Sequence, residues 1–152
     1  MLSGKTSYDV VLPPLSASLG YEIGPGLLRE AFLAAPVDEN MAGLAKRLKR
    51  RGFKIGMITD NPRERINAVA DSRGWEDLFD AIVVSAAEGA RKADGPAIFA
   101  RALERLSLLA DECVFIDDNG RNLAVAANMG FETVLFDCAK RDIDALEKRL
   151  FI

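Results

Sequence analysis

Short apolar segments alternate with amphipathic helical segments from about Val37 to the end of the chain. Four of the apolar segments are predicted to be β-strands, at 53–58, 81–84, 113–116 and 133–136. Each is followed by a segment whose apolar residues recur with helical spacing. Regular alternation of strand and helix is typical of a mostly parallel sheet with helices on both faces. The sequence therefore predicts an α/β fold of three layers.

The composition excludes several classes of function. The chain has 152 residues, 49% of them hydrophobic and 28% charged, which is typical of one folded domain. Its net charge of −3 and the absence of a long apolar run argue against nucleic acid and membrane partners. The chain contains no histidine, which excludes histidine-based catalysis and most zinc sites. Two cysteines, expected to be free thiols, and the lack of a signal peptide predict a cytoplasmic location.

The segment 113–119 ends a predicted buried strand on two adjacent acids, Asp117 and Asp118. Open α/β sheets bind their ligands at the carboxyl ends of parallel strands, where these acids would lie. Adjacent carboxylates repel each other unless a cation lies between them, and Mg²⁺ prefers such oxygen ligands. The alternative interpretation is a polar turn that ends the strand and caps the next helix.

Polar residues at other strand ends favour the first interpretation. Thr59 ends one predicted strand and Lys92 lies in the loop after another, so both are expected near Asp117. Thr59 and the amides that follow it could hold phosphoryl oxygens at a helix N-terminus. Lys92 could offset the negative charge of a phosphoryl group, and the two acids could hold Mg²⁺. Taken alone, Lys92 could also be a solvated loop residue.

Three segments carry a resemblance to a known family: Gly56–Pro62, Gly89–Asp94, and Val114–Asn119 together with Asn122. They resemble motifs II, III and IV of the haloacid dehalogenase (HAD) superfamily in order and in spacing. Thr59 and Lys92 are 33 positions apart, and Lys92 and Asp117 are 25 apart. The resemblance implies a Rossmann-like, HAD-like core over residues 37–152.

The resemblance also implies a Mg²⁺-dependent phosphatase that acts on a small phosphorylated metabolite. By this similarity Thr59, Lys92 and Asp117 are the candidate catalytic residues. Thr59, Asp60, Asn61 and Lys92 are the candidate phosphate-binding residues, and Asp117 and Asp118 are the candidate metal ligands. The loop around Lys92 departs slightly from the family pattern, because alanine and glycine stand at positions 93 and 95, where relatives usually have prolines.

The first motif of the family is missing. Members carry an apolar central strand that ends in Asp-x-Asp, whose first acid is the nucleophile and whose second is the acid/base. No Asp-x-Asp precedes Thr59 in this sequence. Losing that strand would leave unpaired backbone edges on its two neighbours. Either the neighbours pair directly, or Val10–Leu12 fills the position, or the isolated chain folds poorly.

Two interpretations of residues 1–36 remain open. In the favoured one they form part of a helical cap, and the chain begins after the nucleophile strand. In the other, the strand predicted over Tyr8–Leu12, which Pro13 and Pro14 end, begins a degenerate first motif. Pro14 would then replace the nucleophile and Ser16 the acid/base. The matching functional alternative to a phosphatase is a catalytically inactive module that retains a phosphate site.

Overall fold

The structure is a computed structural model that describes residues 4 and 6–150. Its α-helices are α1 (Tyr8–Leu19), α2 (Pro25–Leu33), α3 (Glu39–Arg50), α4 (Arg63–Arg73), α5 (Trp75–Leu78), α6 (Ser85–Glu88), α7 (Ala97–Leu106), α8 (Gly120–Asn128) and α9 (Ile143–Leu150). Its strands are β1 (Gly56–Thr59), β2 (Ala81–Val84), β3 (Val114–Asp117) and β4 (Glu132–Leu135). Short 3₁₀ turns occupy Lys92–Asp94 and Ala110–Glu112. The predicted α/β class is confirmed.

The four strands form two parallel pairs. β1 pairs with β2 so that Thr59 lies beside Val84. β3 pairs with β4 so that Asp117 lies beside Leu135. Among the described residues no ladder joins the two pairs, so the two-stranded sheets are separate.

Helices pack against both faces of the strands. The first core cluster contains buried residues of β2, α7 and α8 and of the turn before β4: Val83, Ile98, Phe99, Ala102, Ala126 and Phe131. The second contains buried residues of α3, β4 and α9: Leu44, Val134, Ile143 and Leu146. Phe115 packs against the first cluster and Ile116 against the second. Because successive residues of a strand point to opposite faces, the two clusters lie on opposite sides of β3.

The prediction of a strand over Tyr8–Leu12 is wrong, because these residues belong to helix α1. The prolines do not prevent this, since the φ angle that a proline ring imposes is compatible with a helix. None of the α1 side chains is buried, so water can bond the carbonyls that lose a helical partner. Val10–Leu12 therefore cannot fill a strand position, and the degenerate-motif interpretation loses its strand. The division of the chain near Pro36 stays a prediction.

Asp80 joins three elements just before β2. Its carboxylate accepts hydrogen bonds from the Ile55 amide at 2.7 Å and from the Lys49 ammonium of α3 at 3.1 Å. The Ile55 bond is the main reason that the pKa of Asp80 lies below its ordinary value. The start of β1 thus depends on a side chain that precedes β2.

Replacing Asp80 by alanine is expected to lower the free energy of unfolding by about 1 kcal/mol, because the Ile55 amide loses its acceptor. Urea unfolding at pH 7 measures this. Asp71→Ala, an exposed acid on α4, is the matched control and should change stability little. Equal effects of the two substitutions would contradict the structural role of Asp80.

Within the described residues, none of the helices combines the length and apolar character that crossing a bilayer requires.

Candidate functional site

The end of β1 carries a short hydrogen-bonded chain of side chains. The Asn61 amide donates to the Thr59 hydroxyl at 2.6 Å, and the Arg65 guanidinium donates to the Asn61 carbonyl at 3.1 Å. All three side chains are half-buried. Pro62 precedes the first turn of α4, so the helix starts directly after these residues. Thr59 and Asn61 are therefore held in place beside the N-terminus of a helix.

Lys92 connects the end of β1 to the end of β3. Its backbone amide donates to the Asp60 carboxylate at 3.1 Å. Its ammonium donates to Asp117 Oδ2 at 2.6 Å, and the two side chains are only 15% and 5% exposed. A turn at Gly89, where φ is +68°, precedes the 3₁₀ segment that carries Lys92. Lys92 is thus a partly buried member of an ion pair and not a solvated loop cation.

Asp117 is held by three donors. Besides Lys92, the Asn119 amide and the Asn122 side chain donate to its Oδ1 at 2.8 Å and 3.0 Å. Burial by itself raises the pKa of Asp117, but the hydrogen bonds from Lys92, Asn119 and Asn122 together hold it below its ordinary value. Asp117 is therefore a carboxylate at neutral pH.

The side chain of Asp118 has none of the partners that hold Asp117. Its side chain is exposed and contacts Cys138, whose thiol lies 3.5 Å from Oδ2 in the segment after β4. In the part of the chain that the structure describes, no group of three or more acidic, cysteine or histidine side chains could hold a metal. That Asp117 and Asp118 together bind a metal stays a prediction; two carboxylates would be enough for Mg²⁺, because this ion keeps several waters and binds through one or two carboxylates.

The structure brings most of the predicted site residues to one edge of the layer. Asn61 bonds to Thr59, and Lys92 bonds to Asp60 through its backbone amide and to Asp117 through its ammonium. Asp118 follows Asp117 in the chain, but its side chain contacts Cys138 instead.

Sequence reasoning missed two residues that position this network. Arg65 in the first turn of α4 holds Asn61, which lies before the start of the helix, so no helical spacing in the sequence indicated this contact. Asn122 holds Asp117 and is buried. It belongs to the third matching segment, yet it was not among the predicted site residues.

Comparison with known proteins gives a consistent result. A family model described as haloacid dehalogenase-like hydrolase matches residues 17–130. The sesquiterpene phosphatase astK of Aspergillus oryzae is 32% identical over 118 residues, which are 74% of this chain and 60% of that protein. Acyl-CoA dehydrogenase family member 10 of Mus musculus is 44% identical over 72 residues, which are 47% of this chain and 7% of that protein.

A solved structure shows the same fold. A HAD family enzyme of Bacteroides thetaiotaomicron, in complex with magnesium and inorganic phosphate, matches with a TM-score of 0.75 and 19% identity. The match covers 90% of this chain and 72% of that one. The chain spans less than two thirds of both sequence relatives named above.

Proposed function

The chain belongs to the haloacid dehalogenase-like hydrolase family, and from that premise we propose that it provides the phosphate-binding and magnesium-binding part of a phosphatase site. The proposed substrate is a small phosphorylated metabolite and the proposed cofactor is Mg²⁺. Two relatives support this: astK is named a phosphatase, and the Bacteroides enzyme binds magnesium and phosphate. A cytoplasmic location stays a prediction.

One observation carries the proposal: Lys92 and Asp117 form a largely buried ion pair at the end where Thr59 and Asn61 also lie. A phosphoryl group at this end would meet a hydroxyl, an ammonium and the first turn of α4. Lys92 would offset the charge of the equatorial oxygens, and Thr59 would donate to one of them. This is the arrangement that phosphoryl transfer needs, since its catalysis is mostly positioning and charge stabilisation.

Asp117 and Asp118 would hold Mg²⁺ in this proposal. When bound, Mg²⁺ would neutralise charge on the substrate oxygens. Within the chain, Asn119 and Asn122 orient Asp117, and Lys92 keeps it ionised.

A covalent phosphatase needs a free nucleophile that accepts the phosphoryl group. The Asp117 carboxylate accepts from three donors, which hold it in place and leave it unsuited to that role. This observation favours the second candidate function, a module that binds phosphate without hydrolysing it.

Mg²⁺ together with inorganic phosphate is expected to raise the melting temperature of the chain more than either alone. A tenfold excess over Kd would stabilise the fold by about 1.4 kcal/mol. Differential scanning fluorimetry with MgCl₂, phosphate and both measures this. Asp118→Asn should reduce the effect of Mg²⁺, whereas the control Asp71→Asn, an exposed acid on α4, should preserve it.

Hydrolysis of p-nitrophenyl phosphate separates the two candidate functions. Turnover that Asp117→Asn abolishes would support the phosphatase. Protection by Mg²⁺ and phosphate without turnover would support the binding module. A melting temperature that neither ligand changes would contradict both functions.

A further inference from the structure

Arg65 is a half-buried cation that has no acidic partner among the described residues. The other arginines in the described part of the chain are exposed, except Arg47. The Arg47 guanidinium pairs with the Glu147 carboxylate through hydrogen bonds of 2.8 Å and 2.5 Å. Arg65 forms no ion pair with a described residue, and it donates instead to the neutral side-chain amide of Asn61. The residues that the structure does not describe include no Asp or Glu.

The guanidinium of Arg65 has the capacity to bind an anion. A partly buried charge loses hydration, and that loss is unfavourable unless an opposite charge compensates it. A guanidinium carries five N–H donors in a planar fork, and the Asn61 carbonyl accepts from Nη1 alone. The remaining donors can therefore bind a negatively charged group without breaking the contact with Asn61.

Arg65 lies beside the place where the proposed function puts the phosphoryl group. It belongs to the first turn of α4, and Asn61 connects it to Thr59 through hydrogen bonds of 3.1 Å and 2.6 Å. Lys92, the other group expected to meet the phosphoryl oxygens, bonds to Asp117 at the end of β3. Because the Asn61 amide stands between Arg65 and Thr59, we expect Arg65 to meet the part of the ligand next to the phosphoryl group.

Tyr8 of α1 adds a neutral polar group near Arg65. Its ring packs against the Phe32 ring of α2, with 5.7 Å between the ring centroids. Burial raises the pKa of Tyr8 above its ordinary value, the charge of Glu64 raises it further, and the charge of Arg65 opposes this change. The Tyr8 hydroxyl is therefore protonated at pH 7, and it lies close enough to Arg65 for the two groups to interact.

We propose that Arg65 selects ligands that carry a carboxylate close to the phosphoryl group, so that the substrate class is a phosphorylated hydroxy acid. The inference rests on the proposed function, because it needs a phosphoryl group held at Thr59. A carboxylate fits a guanidinium in geometry, since both groups are planar and form two parallel hydrogen bonds. It also fits in charge, because one guanidinium compensates one negative charge, whereas a second phosphoryl group would bring about two.

Two phosphonates of matched shape test the proposal by isothermal titration calorimetry on the whole chain in MgCl₂. 3-Phosphonopropionate carries a carboxylate, and 3-hydroxypropylphosphonate carries a hydroxymethyl group in its place. A phosphatase does not hydrolyse their carbon–phosphorus bond, so equilibrium binding is measured whether or not the chain is an enzyme. We expect 3-phosphonopropionate to bind about tenfold more tightly, because hydrogen bonds to charged groups are stronger than those to neutral groups.

Arg65→Met should remove this preference, so that the two phosphonates bind equally. Comparing the ligands within one variant cancels any effect that the lost Asn61 contact has on the phosphoryl group. Arg63→Met is the matched control and should keep the preference, because Arg63 is an exposed arginine of the same helical turn. If Arg65→Met does not fold, Arg65→Lys serves as the second variant. It should show a reduced preference, because an ammonium does not form the two parallel bonds.

NMR of the Arg65 Nε–H group gives a second readout, and its signal should shift more with 3-phosphonopropionate than with 3-hydroxypropylphosphonate. Equal binding of the two phosphonates by the wild-type chain, or a preference that survives in Arg65→Met, would overturn the inference and leave the proposed phosphate site standing. Tighter binding of propane-1,3-bisphosphonate than of 3-phosphonopropionate would also overturn it, in favour of a second phosphoryl group. Binding of none of these phosphonates would contradict the proposed phosphate site and the inference with it.

Discussion

Replacing Phe99 by alanine is expected to lower the free energy of unfolding by about 3–5 kcal/mol. Phe99 is fully buried in α7, and its ring makes edge-to-face contacts with Phe115 of β3 and Phe131 before β4. The same cluster includes Val83 of β2, so this side chain joins both sheets. Because no strand ladder links the sheets in the described part of the chain, the fold depends on such helix-mediated contacts.

Urea unfolding, followed by circular dichroism, measures this loss. Leu109→Ala is the matched control, since Leu109 is 67% exposed and its removal should cost little. If Phe99→Ala does not fold at all, Phe99→Leu serves as the second variant and should retain the fold at reduced stability. A loss for Phe99→Ala no larger than that for Leu109→Ala would contradict the central role of this ring.

Replacing Lys92 by methionine is expected to have the second largest effect, about 3 kcal/mol, and to abolish protection by phosphate. The substitution leaves the buried Asp117 carboxylate without its ammonium partner, while two weaker donors remain. We expect a loss at the low end of the range for broken buried ion pairs, because the Lys92 side chain is still 15% exposed to solvent. Lys148→Met, on the exposed side of α9, is the control.

The pH dependence of the stability of Lys92→Met tests whether the loss arises from the Asp117 carboxylate. Since the pKa of Asp117 is lowered in the folded chain, its stabilising contribution is complete above its unfolded pKa of about 3.9. That contribution is lost as the pH falls through the lower folded value. In the variant, burial still raises the pKa of Asp117, and the hydrogen bond from Lys92, which lowers that pKa most, is lost.

The stability difference between the wild-type chain and Lys92→Met should therefore be large at pH 7 and shrink below about pH 4. Urea midpoints at several pH values measure it. A difference that does not change with pH would show that Lys92 acts through packing of its aliphatic stem and not through Asp117.

Much of the site follows from local sequence patterns. Thr59 and Asp117 end apolar segments, and parallel strands in alternation with helices place such ends together. The Gly89 turn and the length of the segment after β2 return Lys92 to the same edge. These features depend on residues close together in the chain, so the sequence shows them directly.

Other features were decided by contacts between distant residues. Asp118 is adjacent to a buried acid in sequence, but its side chain contacts Cys138, 20 positions later. Arg65 and Asn122 became visible as positioning residues only when their partners were in place. The direction of a side chain depends on its surroundings, and residue type alone does not specify those.

The sequence by itself determined the parallel α/β class, the strand ends and the residues that carry the proposed chemistry, because periodicity and turn residues act locally. Only the tertiary structure decided that Tyr8–Leu19 is a helix and that the strands form two separate pairs. Apolar residues beside prolines are compatible with either local structure, and the choice depends on what packs against them. Likewise, strand pairing is a long-range contact, so the separation of the described strands into two parallel pairs is a property of the folded chain.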